Sequence, residues 1–185
     1  MSIVITQVTD NGIRIGADTA QTGYDGCLTT VEGNKIFRVG DIVVGIVGQM
    51  ESSNVLRYVL EDFITQEPQE PTWKSMVNFY YNYAQGATEL GVNIRSSDEE
   101  GVSSAIDAFH MVIQDTAWCF RGFHVEQITK TNVIGCASSY ALGALYAGAT
   151  LEEAISAACK YNIYCSRPII TYDIKGTDIK QNVLR

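Results

Sequence analysis

Apolar and polar positions change their spacing several times along this chain, and each change marks an element. Residues 2–8 (SIVITQV) form a β-branched apolar run, which favours a strand. Thr9-Asp10-Asn11-Gly12 carries turn chemistry, and IRIGADT at 13–19 reads as a second strand. NKIFRV at 34–39 and DIVVGIVG at 41–48 read as two more, hinged at Gly40-Asp41. From Met50 the period becomes helical: Leu56, Val59, Leu60, Phe63 and Ile64 share one face. Pro68 and Pro71 stop that helix. A second helix is expected over 73–90, and its NFYYNYA stretch at 78–84 reads as core and packing rather than a ligand site. Residues 94–103 are polar and read as an exposed loop.

Strand signals return in AFHMVIQ (108–114), AWCFRGF (117–123), HVEQI and NVIGC. Helical composition follows at 138–145 and again over 151–161. PIITYDI at 168–174 reads as a last strand, and 175–185 as a polar tail. Runs of strands alternating with helix pairs predict an α/β protein of the α+β kind. The expected architecture is a four-layer αββα sandwich, with two antiparallel sheets face to face and helices outside.

Composition narrows the function classes. A chain of 185 residues suits one domain, 1–185. Net charge is −8, which argues against a nucleic-acid partner held by a basic surface. No apolar run approaches a membrane span, and no basic leader precedes the first strand, so no membrane partner and a cytoplasmic location are expected. Five cysteines (Cys27, Cys119, Cys136, Cys159, Cys165) show no CxxC pair, and His110 and His124 stand apart. Reduced thiols, no metal site and no cofactor are the expectation. There is no GxxxxGK[ST] motif, so any ATP use would belong to a partner.

The candidate chemistry lies at the chain start. A serine hydroxyl is a poor nucleophile until a base takes its proton. An α-amine, with a free pKa of about 7.7–8.0, can be that base near neutral pH. A nearby lysine tunes the amine, a buried carboxylate orients the lysine, and a backbone N–H stabilises the oxyanion. Ser2 becomes terminal if Met1 is removed; Asp18, Lys35 and Gly48 are candidates for the other three parts.

Four segments carry a resemblance. GIRIGADTAQTG (12–23) is similar to the GADSRATxG segment of proteasome β-type subunits. NKIFRVGDIVVGIVGQ resembles that family's lysine-bearing strand pair and glycine turn, NVIGCASSYALGALYAG its GSGSxxAxGxL segment, and KYNIYCSRPIITYDI its last helix and strand. The match spans roughly 2–174 in order, and a start just after the initiator Met resembles the bacterial HslV-type peptidases.

The resemblance implies an N-terminal nucleophile (Ntn) hydrolase fold and a self-compartmentalising homo-oligomer of stacked rings. It also implies peptide or unfolded-protein substrates and a separate ATP-dependent unfoldase. Carried over by position, it implies Ser2 as nucleophile, Asp18 and Lys35 as its catalytic partners and Gly48 as oxyanion donor. Cys136, Ser138, Asn162 and Cys165 fall at supporting positions. Thr22 falls where backbone holds a substrate strand, and Gln21, Ile46 and Met50 near the first substrate pocket. The chain departs from the family's pattern in having Ser2 for Thr, Cys136 for Ser, Ala137 for Gly, Asn162 for Asp and Cys165 for Ser. Two other readings therefore stay open at this level: a catalytically inactive ring subunit and a small-molecule amidase.

Overall fold

The apolar runs of the sequence become strands because each is covered on both faces. The computed structural model describes residues 2–22, 28–30, 35–65, 70–97, 103–105 and 107–185. In chain order these form β1 (Val4–Thr9), β2 (Gly12–Asp18), β3 (Ala20–Thr22), β4 (Leu28–Thr30), β5 (Ile36–Val39) and β6 (Ile42–Val47). Two helices follow, α1 (Met50–Thr65) and α2 (Trp73–Glu89). Then come β7 (Arg95–Ser97), β8 (Ser103–Ala105), β9 (Ala108–Ile113), β10 (Thr116–Arg121), β11 (His124–Ile128) and β12 (Thr131–Ile134). The chain closes with α3 (Ser138–Tyr146), α4 (Leu151–Tyr161), β13 (Ile169–Lys175) and β14 (Asp178–Leu184).

Two five-stranded antiparallel sheets dominate, in the orders β12-β1-β2-β13-β14 and β11-β10-β9-β6-β5. Successive side chains of a strand point to opposite faces, and that alternation sorts the core into three slabs. Val4, Ile15, Ala17, Ile36, Val43 and Val112 fill the space between the sheets. Ile3 and Ile5 turn the other way and meet Ala141, Leu151, Ala154 and Ile155 of α3 and α4. On the far side, Val44 and Ile46 pack with Leu56 and Leu60 of α1 and with Phe79 and Tyr83 of α2. This is the four-layer αββα order expected from the sequence. The Tyr-rich stretch divides as a helix should: Tyr80 and Tyr83 are buried, Tyr81 is exposed.

Capping sets the ends of two helices. Thr72 accepts from Ser75 N–H at 3.2 Å while Ser75 Oγ accepts from Thr72 N–H at 2.9 Å. Thr150 and Glu153 make the same reciprocal box at α4, with Thr150 N–H donating to Glu153 Oε2 at 2.8 Å.

Two expectations need correction. Within the expected loop 94–103, β7 pairs with β8 through Arg95↔Ala105 and Ser97↔Ser103; residues 98–102 lie outside the described residues, as does Pro68. The polar tail 175–185 contains β14, which pairs with β13 along its whole length from Ile169↔Leu184 to Lys175↔Asp178. An edge strand needs one partner and one covered face, so a polar sequence serves it well and hides it from a search for apolar runs. The pair β3–β4 was likewise too short to stand out.

Candidate active site

β2 runs between β1 and β13 in the first sheet, and Asp18 ends it. Its carboxylate is fully buried and collects every donor that converges there. Ile3 N–H donates to Oδ1 at 3.0 Å; Ala20 N–H and Ser166 N–H donate to Oδ2 at 3.0 and 3.2 Å. The Lys35 ammonium, reaching across from the start of β5 in the second sheet, donates to Oδ1 at 2.8 Å and to Oδ2 at 2.7 Å. The Asp18 side chain is 0% exposed and that of Lys35 13%. Two charges so placed lose most of their hydration, and the backbone donors are what make the burial tolerable. One carboxylate therefore ties the residue after Ser2, the segment between α4 and β13 and the second sheet's lysine to a single point. Ser2 itself is 2% exposed, and Met1 lies outside the described residues.

The end of β6 completes this corner. Ile46 N–H donates to the Lys35 carbonyl at 2.7 Å, so β6 runs beside the lysine and reaches Gly48 just beyond. Gly48 takes φ +143°, where L side chains are strained, and a Cβ there would overlap Asp107 Oδ1. Gln49 N–H donates to Asp107 Oδ1 at 2.9 Å, and the Ser52 hydroxyl to Oδ2 at 2.6 Å. Burial pushes the Asp107 pKa up, against the lowering effect of these bonds.

Cys136 and Asn162 lie beside Ser2, and Cys165 is close to both Cys136 and Asp18. Cys136 Sγ lies 3.8 Å from the Ser2 carbonyl oxygen and 3.9 Å from Asn162 Oδ1. Asn162 ends α4, and its Oδ1 also accepts from Tyr164 N–H at 2.9 Å. Gly135 takes φ +115°, and a Cβ there would overlap the Ser2 carbonyl, so both the backbone and the close approach call for glycine. Burial, and next the Asp18 charge, push the Cys165 thiol pKa far up and that of Cys159 to about 12. Both stay protonated near neutral pH and are poor nucleophiles. Ser138 opens α3, its N–H donating to the Gly135 carbonyl at 3.2 Å.

The remaining residues singled out from sequence fall as follows. Gln21 Nε2 donates to Met50 Sδ, which bridges β3 to the start of α1 at the surface. Ile46 is 3% exposed and belongs to the slab under α1 and α2. Thr22 ends β3, paired with Leu28. Cys27 lies outside the described residues. Among the described residues no group of His, Cys, Asp and Glu is placed to hold a metal, and no helix is long and apolar enough to cross a membrane. Sequence reasoning passed over the Ser166 N–H, the Ile3 N–H and Asp107. Backbone donors leave no residue-type signal; Asp107 had one, a lone acid at the head of an apolar strand.

No family model matches the chain, and no curated protein matches it in sequence. Solved structures do match. BPH of Thiobacillus denitrificans superposes with a TM-score of 0.72 at 21% identity, over 99% of this chain and 98% of that one. The same protein in complex with epoxomicin gives 0.69 at 22%, over 99% of both chains. The Anbu (Gly-1) mutant from Hyphomicrobium sp. strain MC1 gives 0.74 at 11%, over 100% of this chain and 87% of that one. Anbu of Yersinia bercovieri, described as an ancestral beta-subunit, gives 0.70 at 8%, over 98% and 86%. At these identities the likeness is one of architecture: the chain has the proteasome-like Ntn-hydrolase fold that BPH and Anbu share.

Proposed function

We propose that this chain is the subunit of a self-compartmentalising peptidase whose nucleophile is Ser2, exposed as the chain terminus by removal of Met1. The observation that carries the reading is the Asp18 carboxylate, which holds the Lys35 ammonium and the Ile3 N–H at once. Lysine, acid and the amide that follows Ser2 thus meet at one buried point, which suits catalysis by a terminal amine. Ser2 Oγ attacks the peptide carbonyl, and the Ser2 amine takes the hydroxyl proton. The Gly48 N–H receives the oxyanion. The amine then returns its proton to the leaving nitrogen, and water hydrolyses the acyl ester by the same route in reverse.

The substrate is a peptide or unfolded chain lying as a strand along β3, where Thr22 offers main-chain pairing. Gln21 and Met50 form the rim of an apolar first pocket, with Ile46 beneath. Cys136, Ser138, Asn162 and Cys165 serve as the shell that supports the Ser2 amine, with Cys136 Sγ 3.8 Å from the Ser2 carbonyl oxygen. The protein works as a homo-oligomer of stacked rings in the cytoplasm, fed by a separate ATP-dependent unfoldase. Exposed apolar side chains on α3 and just after α4 support assembly: Leu142, Tyr146 at 97% and Ile163 at 77% exposure face outward.

A second reading, a catalytically silent ring subunit, is favoured by the altered shell. The Ser2 carbonyl has a long thiol contact from Cys136, and Asn162 supplies no charge. Intact mass and a covalent probe separate the two. The chain lacking Met1 is expected to gain one equivalent of epoxomicin, and the Ser2→Ala variant none. Retention of Met1 in the native host, or a processed chain that takes no probe and cleaves no peptide, sinks the peptidase reading.

A further inference from the structure

Asp107 is a buried acid that the catalytic scheme above does not use. It is 6% exposed and sits at the head of β9. Val47, the last residue of β6, pairs with Ala108, and the next amide but one, Gln49 N–H, is held by Asp107 Oδ1 at 2.9 Å. The Gly48 peptide unit is therefore clamped from both sides by the 107–108 dipeptide. The carboxylate also occupies the space in which a Gly48 side chain would stand. Its other oxygen accepts the buried Ser52 hydroxyl at 2.6 Å, in the first turn of α1. Tyr83 Oη of α2 is fully buried beside Asp107 and Ser52. So much buried polar structure behind a single glycine turn is expensive.

We infer that Asp107 is the positioning residue of the oxyanion turn: its carboxylate fixes the peptide units around Gly48 so that the Gly48 N–H points at the developing oxyanion. The inference rests on the peptidase reading and deepens it. Glycine at φ +143° has a wide conformational range, and an oxyanion donor acts only when its direction is set before the reaction. The charged form makes both oxygens acceptors, which suits two donors arriving from Gln49 and Ser52. The titratable neighbours are Glu51 of α1, whose negative charge opposes that form, and Tyr83 of α2. Burial and Glu51 both raise the pKa of Asp107, so its protonation contributes to the acid side of the activity profile.

The test compares Asp107→Asn, Asp107→Ala and Ser52→Ala with the parent, all lacking Met1. Each is measured as kcat and KM per active site, the sites being counted by epoxomicin titration. Asp107→Ala is expected to lower kcat by about 10- to 100-fold, part of the loss seen when an oxyanion donor is removed outright, with KM changed less than about threefold. Asp107→Asn keeps an acceptor for Gln49 N–H and is expected to recover part of that loss. Its kcat profile should also lack the acid ionisation contributed by Asp107. If the variants lose thermal stability while kcat per site and its pH profile stay at parent values, Asp107 is structural and the inference fails. A parent that neither turns over nor takes the probe overturns the peptidase reading, and this inference with it. A variant that does not fold leaves the decision to the other two.

Discussion

Replacing Asp18 by Asn keeps the shape of the side chain and changes one acceptor oxygen into a donor NH2. No orientation of the amide satisfies the site. With its nitrogen at the Oδ2 position, it confronts Ala20 N–H and Ser166 N–H; at the Oδ1 position, it confronts Ile3 N–H. The second is the cheaper, so the damage concentrates at Ser2 and Ile3. A buried donor left without a partner costs about 1–3 kcal/mol. Lys35, with a side chain 13% exposed, also loses its counter-charge, and breaking a buried pair costs roughly 3–5 kcal/mol in all. For a chain of this size each kcal/mol moves Tm by about 2–4 °C, so Asp18→Asn should lower Tm by roughly 6–20 °C. Thermal and urea unfolding at matched protein concentration measure this, since assembly adds to apparent stability. A variant within about 1 kcal/mol of the parent would refute the reasoning, because a carboxylate holding that many buried donors cannot be neutralised for so little.

Three further outcomes follow from the same geometry. His110 is fully buried between the sheets, with Nδ1 2.8 Å from Thr6 Oγ1 and Nε2 3.1 Å from Asn132 Oδ1, and burial lowers its pKa from 6.5 to about 3. The unfolded chain alone binds that proton between the two values, so this contribution is full above about pH 6.5 and is lost as pH falls, at up to about 1.4 kcal/mol per pH unit. Urea titrations should show a smaller slope for His110→Gln than for the parent, and equal slopes would contradict a neutral buried imidazole. Gly135→Ala puts a methyl on the Ser2 carbonyl at φ +115°; a loss of about 1–3 kcal/mol is expected from the backbone strain alone, together with slower reaction with epoxomicin, and an unchanged adduct rate would mean that Ser2 is not held there. Thr150→Ala removes one side of the α4 capping box and should cost about 1 kcal/mol, read as a Tm lower by about 2–4 °C.

Much of the fold was legible because it is local. Leu56 and Leu60 of α1 lie in the core stripe that their spacing predicts, since neighbours three and four apart share a helix face whatever surrounds them. The sheet strands of the interior announced themselves by continuous apolar runs such as IVVGIV. β14 did not, because an edge strand is stabilised by a ladder to β13 that no property of residues 178–184 reveals. β7 and β8 were hidden in the same way. Of the candidate site, Asp18, Lys35 and Gly48 were named from the sequence, and the structure brings Asp18 and Lys35 together, whereas the Ser166 and Ile3 amides and Asp107 were passed over.

The sequence by itself determined the period of each element, the order of strands and helices, and an inventory of a serine, an acid, a lysine and a glycine without a metal-ligand pattern. Tertiary structure alone decided that Asp18 of one sheet meets Lys35 of the other, that the same carboxylate takes the Ile3 amide, and that Asp107 lies behind Gly48. The reason is one of range. Periodicity reflects forces between residues a few positions apart, while those contacts form only once the apolar faces of the two sheets have closed on each other and brought distant polar groups into a space with no water to receive them.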